Sequence, residues 1–246
     1  MKARLILLSL LLSATHAAFA YEPAGTPPDW ASPVKQPPPN WKLLIDRFEA
    51  GFSDAEDSNA WEGQFWYGGD RNRLTISTEG EGVQGESLES AELEVAYSRL
   101  FLPYWDWQIG VRHDFRPDPE AAHLMLGLQG VVPYEFETQA MLYVSEDGDL
   151  STRVEFEYDL NLTQRWILQS RFEVNAAFDE VEERGIGRGV NSSELGVRLR
   201  YEVRREFAPY VGVEWARLYG NTRDLAEDEG EDASFVSLVA GIRFWF

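Results

Sequence analysis

Soft-metal and nucleophilic chemistry draws on His, Met and Cys, and this chain has three His, three Met and no Cys. Beyond Met1 and His16 at the N-terminus, four such residues remain: His113, His123, Met125 and Met141. In 122–129, Ala122, Leu124, Leu126 and Leu128 alternate with His123, Met125, Gly127 and Gln129. A period of two is that of a strand, so His123 and Met125 share its less apolar face. Met141 shares the corresponding face of the next strand with Glu135, Glu137, Gln139 and Tyr143. Folding the two strands about Val132-Pro133 sets Met125 opposite Met141 and His123 opposite Tyr143. One imidazole and two thioethers suit Cu(I). His123, Met125 and Met141 are therefore the expected metal ligands, and ordinary space-filling is the alternative. His113 falls on the opposite, apolar face of its own strand, near the strand end.

Hydrolysis finds less support. His113 and His123 are the only candidate bases, and no Gly-x-Ser-x-Gly accompanies them. Glu92/Glu94 and Glu155/Glu157 are same-face carboxylate pairs, but Arg112, Arg153, Arg198 and Arg200 fall on equivalent faces. An ion-pair lattice accounts for them more simply than acid–base catalysis, so no enzyme is expected and a surface hydrolase is the weaker alternative.

The elements that must carry these residues repeat one texture from Trp41 onward. In 105–116, Trp105, Trp107, Ile109, Val111, His113 and Phe115 alternate with Asp106, Gln108, Gly110, Arg112, Asp114 and Arg116. The stretches 91–98, 152–161 and 194–204 alternate in the same way. Each has one apolar and one charged face; charges of both signs share that face in 105–116, 152–161 and 194–204, while 91–98 carries Glu92 and Glu94. A sandwich would turn its charged face to bulk water and bury the other, whereas here the pattern suits a barrel with a wet interior and a lipid-facing exterior. The segments match the ~9–11 residues of a spanning strand. Trp61, Trp66, Tyr67, Tyr104, Trp105, Tyr134, Trp166 and Tyr210 gather near strand ends, where an interfacial girdle lies. The fold expected is an all-β, transmembrane, antiparallel up-and-down barrel of about 12 strands.

Short turns (68–70, 102–103, 132–133, 162–163 and 207–208) alternate with longer or acidic connections (53–59, 80–87, 117–120, 146–149, 179–191 and 221–232). Outer-membrane barrels keep short turns in the periplasm, so the acidic loops are expected outside and both termini in the periplasm. The last stretch, Phe235–Phe246, alternates Val236, Leu238, Ala240, Ile242, Phe244 and Phe246 with Ser237, Gly241 and Arg243, and is expected to close the ring. Its Gly241-x-x-Phe244-x-Phe246 ending resembles the signal read by outer-membrane insertion machinery.

Residues 1–20 read as a secretory signal peptide: Lys2 and Arg4, then an apolar run, then Ala18-Phe19-Ala20. Residues 21–41 read as a Pro-rich periplasmic linker and 42–246 as the barrel. A net charge of −20 disfavours nucleic acid and attracts cations. With 13% aromatic residues the chain is unlike a disordered acidic protein.

Three long segments carry a family resemblance: GGDRNRLTISTEGE (68–81), AELEVAYSRLFLPYWDWQIGVRHDFRP (91–117) and RGIGRGVNSSELGVRLRYEVRREFAPYVGVEW (184–215). With YDLNLTQR (158–165) and the final Trp-Phe, they resemble the copper resistance protein B family from about Lys42 to Phe246. The resemblance implies an outer-membrane barrel of a Gram-negative bacterium that binds or passes copper and works with periplasmic copper-resistance proteins. Many members carry a Met- and His-rich segment before the barrel. Here that place, 21–40, holds neither residue, so the expectation of copper binding rests on the lumen. A passive, cation-preferring channel is the alternative function.

Overall fold

The computed structural model describes residues 39–53, 57–85, 88–230 and 232–246. The expected signal peptide and nearly all of the expected linker lie outside them. The described residues form one unit. Its twelve strands are β1 (Asn40–Phe52), β2 (Ser58–Gly68), β3 (Asn72–Val83), β4 (Leu88–Leu102), β5 (Trp105–Arg116) and β6 (Ala121–Val132), then β7 (Phe136–Ser145), β8 (Leu150–Asn161), β9 (Trp166–Ala177), β10 (Gly189–Tyr201), β11 (Phe207–Leu218) and β12 (Ser234–Trp245). Each pairs antiparallel with its neighbours in sequence, and β12 returns to β1, closing the ring. Leu44 faces Trp245, and Leu43 and Phe246 exchange backbone hydrogen bonds of 2.9 and 3.1 Å. Closure removes the unpaired edge that an open sheet would leave.

The alternation settles which face is which. Leu124, Val211 and Leu238 are 65%, 60% and 62% exposed, while Arg198, Arg200 and Asp114 are buried on the inner face. A barrel with its apolar residues outside and its charges inside is built for lipid. Ring pairs such as Trp166–Tyr201, centroids 4.7 Å apart, and Phe136–Tyr158, 4.8 Å apart, sit at the short-turn end, as a girdle would.

Three local features differ from the sequence expectation. The register of β1 shifts between Ile45 and Arg47, so Asp46 and Arg47 both find partners inside: Arg243 for Asp46, and Glu62 and Glu79 for Arg47. This is a β-bulge, in which two residues oppose one and strict alternation fails. The turn expected at 207–208 lies earlier, at 202–206, because β10 ends at Tyr201 and Arg204 bridges to Phe207. The long connection after β11 is not loop throughout. Gly220–Glu229 form a helix, α1, ended by Gly230 at φ 91°.

Candidate functional site

The inward charges pair across the ring as well as along it. The Arg153 guanidinium on β8 donates to both oxygens of Glu92 on β4, at 2.9 and 3.0 Å, and lies 3.3 Å from Glu79 on β3. Arg171 on β9 reaches Glu62 on β2 at 3.2 Å and approaches Glu79 at 3.9 Å. β9 and β3 stand six places apart in a ring of twelve, so that contact joins opposite walls. Arg198 donates to both oxygens of Glu49, at 3.0 and 2.7 Å, and Tyr210 donates to the same carboxylate at 2.9 Å. Each such arginine holds more than one carboxylate, as its fork of donors permits. Charges removed from water need this pairing.

Cavities lie towards both ends of the barrel. At the short-turn end a cavity of about 270 Å³ is lined by Gln64, Trp66, Arg73, Asp106 and Gln129 among others. At the loop end one of about 250 Å³ is lined by Glu79, Glu81, Glu92, Asp114 and Glu194, together with Arg47, Arg112 and Arg153. The two share no lining residue.

His123, Met125 and Met141 do share one face, but not in the expected register. Met125 pairs with Tyr143, Gly127 with Met141 and His123 with Ser145. Partners are displaced by two residues because β6 and β7 are joined by three residues, Pro133 to Glu135, and not by a turn on Val132-Pro133. Tyr134 (φ 73°) and Glu135 (φ 64°) adopt left-handed backbone, a conformation that non-glycine residues seldom adopt and the sequence does not announce. A displacement of two preserves the face, so Met125 and Met141 remain diagonal neighbours, while Met141 moves to four register positions from His123. Met125 and Met141, 2% and 1% exposed, join Ala96 and Tyr143 in one buried cluster. Gly127 makes room for the thioether: a Cβ there would stand 1.8 Å from Met141 Sδ.

His123 lies beside this cluster, its ring 6.3 Å from that of Tyr143 in an edge-on arrangement. Its Nε2 is 3.1 Å from Asp114 Oδ2, whereas its Nδ1 is buried with no hydrogen-bond partner. If Nε2–H donates to Asp114, Nδ1 keeps its lone pair. A ligating histidine is commonly held in this way, with a carboxylate on the other ring nitrogen. Asp114 was not legible as its partner, because the two residues are diagonal neighbours and Arg112 is the one directly opposite His123. Asp114 also accepts from Arg112 Nε at 2.6 Å and from Arg184 Nη2 at 2.7 Å. Tyr143 donates to Glu94 at 2.9 Å, and the Arg112 guanidinium lies 4.8 Å from its ring centre. Among the described residues no three His, Cys, Asp or Glu side chains are grouped to hold a metal ion, so a soft site here would depend on the thioethers. His113 lies on the outer face, 3.3 Å from Glu120.

The family model described as "Copper resistance protein B precursor" matches residues 39–246. The chain is similar to "Copper resistance protein B" of Escherichia coli, 44% identical over 207 residues, covering 84% of this chain and 70% of that one. It is also similar to "Copper resistance protein B homolog" of Pseudomonas syringae pv. tomato, 38% identical over 209 residues with the same coverage. Among solved structures it is similar in fold to the NanC porin (TM-score 0.56, 12% identity, covering 82% of this chain and 98% of that one). The KdgM porin is comparable (TM-score 0.51, 12% identity, 83% and 99%).

Proposed function

The chain belongs to the copper resistance protein B family, and from that membership and the chemistry of its lumen we propose that it binds copper and hands it across the outer membrane of a Gram-negative bacterium. The observation that carries this reading is the posture of His123. Its Nδ1 is buried and free while Nε2 is engaged by Asp114, and the buried thioether of Met125 stands two residues along the same face, with that of Met141 beyond it. A buried acceptor without a donor is costly unless something fills the role, and a soft cation does. Copper is then cargo, with His123 Nδ1 and the Met125 sulfur as ligands at one station and the Met141 sulfur as the next soft donor along the same face.

In this reading the short-turn end and both termini are periplasmic and the acidic loops face the medium. Residues 1–20 are removed on export and 21–41 form the linker. The partners are outer-membrane lipid, the insertion machinery and periplasmic copper-resistance proteins. No enzymatic step is required. The cross-lumen ion pairs support the handling of single ions over porin-like passage of larger solutes. The test is Cu(I) stoichiometry of the purified protein in detergent, by competition with a chromogenic chelator. His123→Ala combined with Met125→Leu should abolish binding, and unchanged stoichiometry in that variant would sink the lumen site.

A further inference from the structure

Arg184 occupies an unexpected place. It belongs to the connection between β9 and β10, beside the exposed Glu182 and Glu183, yet its side chain is only 8% exposed. It reaches into the barrel to Asp114 on β5, at least four places away round the ring. The loop tip is folded inward and held at several points. Val181 and Ile186 form a bridge, with hydrogen bonds of 2.8 and 3.1 Å. Gly185 takes φ 66° to close the 3-10 turn Glu182–Arg184. Gly187 N–H donates to Thr222 Oγ1 on α1 at 2.9 Å, and Asn191 donates to the same oxygen at 2.8 Å. A Cβ on Gly187 would stand 2.5 Å from the Thr222 nitrogen, so α1 presses directly on the tip.

Two cavities meet at this tip. One is the loop-end cavity of the lumen. The other is a cleft of about 100 Å³ between the loops, lined by Glu120, Glu146, Asp147, Asp149 and Glu183, with His123 also on its wall. Arg184 and Ile186 line both, so they form the partition between cleft and lumen. Arg184 is the one arginine or lysine among those lining the cleft. Its hold on Asp114 is incomplete, because its Nε is buried without a partner. A half-satisfied buried guanidinium is held less firmly than a fully paired one.

We propose that Arg184 is a latch that sets cation access from the loop cleft to the lumen. While it rests on Asp114 it places a fixed positive charge in the path and shares its acceptor oxygen with His123. When it leaves, the cleft and the lumen cavity join and the acidic wall draws cations inward. This rests on the reading of the lumen as the cation route, but it does not depend on which metal binds there.

The test is single-channel conductance in planar bilayers in KCl, with folding checked by the migration of unheated protein on gels. Arg184→Gln should raise cation conductance about tenfold, the low end of what focusing by a cleft of one sign does to ion arrival. Thr222→Val, which loosens the tip and leaves the charge alone, should give a smaller rise. Arg188→Gln alters the charge of the same loop at an exposed residue and should change little. Wild-type conductance in Arg184→Gln, or an equal rise in Arg188→Gln, overturns the latch. Copper stoichiometry measured on the same preparations separates the two readings. Its loss from the wild type with the conductance pattern intact would defeat the copper site and leave the latch standing.

Discussion

Replacing Arg153 by methionine should destabilise the barrel more than replacing Glu92 by glutamine, although the two form one bidentate pair. Arg153 also approaches Glu79 at 3.3 Å and Glu173 at 3.4 Å, so its loss withdraws a cation from three carboxylates. Glu79 keeps Arg47, Glu92 keeps Arg112 and Glu173 keeps Arg171, which softens the effect but leaves the wall more negative. Removing one member of a buried pair costs about 3–5 kcal/mol, and the remaining partners place Arg153→Met near the lower bound, about 3 kcal/mol. Glu92→Gln keeps the side chain's shape. Arg153 retains Glu79 and Glu173, and Arg112 retains Asp114 at 2.6 Å. Its cost should be about 1 kcal/mol, that of weakening charged hydrogen bonds. Guanidinium unfolding in detergent micelles, followed by tryptophan fluorescence, gives both numbers. A Glu92→Gln loss equal to or larger than that of Arg153→Met would refute the view that arginines are the limiting partners in the lumen.

Three further substitutions probe other parts of the account. Gly127→Ala forces a Cβ into the space of Met141 Sδ, 1.8 Å away; it should cost about 1–3 kcal/mol by overpacking and weaken Cu(I) retention, both measurable in one titration series. Leu126→Arg, on the outer face opposite Ile109, should cost about 2–4 kcal/mol in a bilayer, and a neutral result would argue against a lipid-facing wall. Tyr134→Gly should stabilise the β6–β7 turn by about 1 kcal/mol, because φ 73° is strained for tyrosine and free for glycine. An unchanged unfolding midpoint would show that the turn is not strained.

The barrel was legible because its physics is local and repeated. Alternation such as Ile109, Val111 against Gln108, Arg112 fixes a face every two residues, and Gly-, Pro- and Asn-containing breaks separate the strands. The bulge at Asp46–Arg47 was not legible, since adjacent acidic and basic residues read equally well as one residue inside and one outside. The β6–β7 register failed by two residues for a similar reason: tyrosine and glutamate at positive φ leave no compositional trace, as a glycine would. His123, Met125 and Met141 could be chosen by type and face. The partners that give His123 its posture could not: Asp114 lies one diagonal step away and Arg184 arrives from a loop 70 residues further on. Helix α1 was hidden by acidic composition that reads as loop, and its contacts at Thr222 order the segment that carries Arg184.

The central claim is that this barrel handles copper through the lumen site. The most direct test is the copper taken up by cells that carry the protein, cells that lack it, and cells that carry the His123→Ala, Met125→Leu form, all at equal levels of folded barrel. The account predicts that cell-associated copper differs with and without the protein and that the double variant behaves as though it were absent. Equal copper in all three, or a double variant indistinguishable from the wild type, would contradict it.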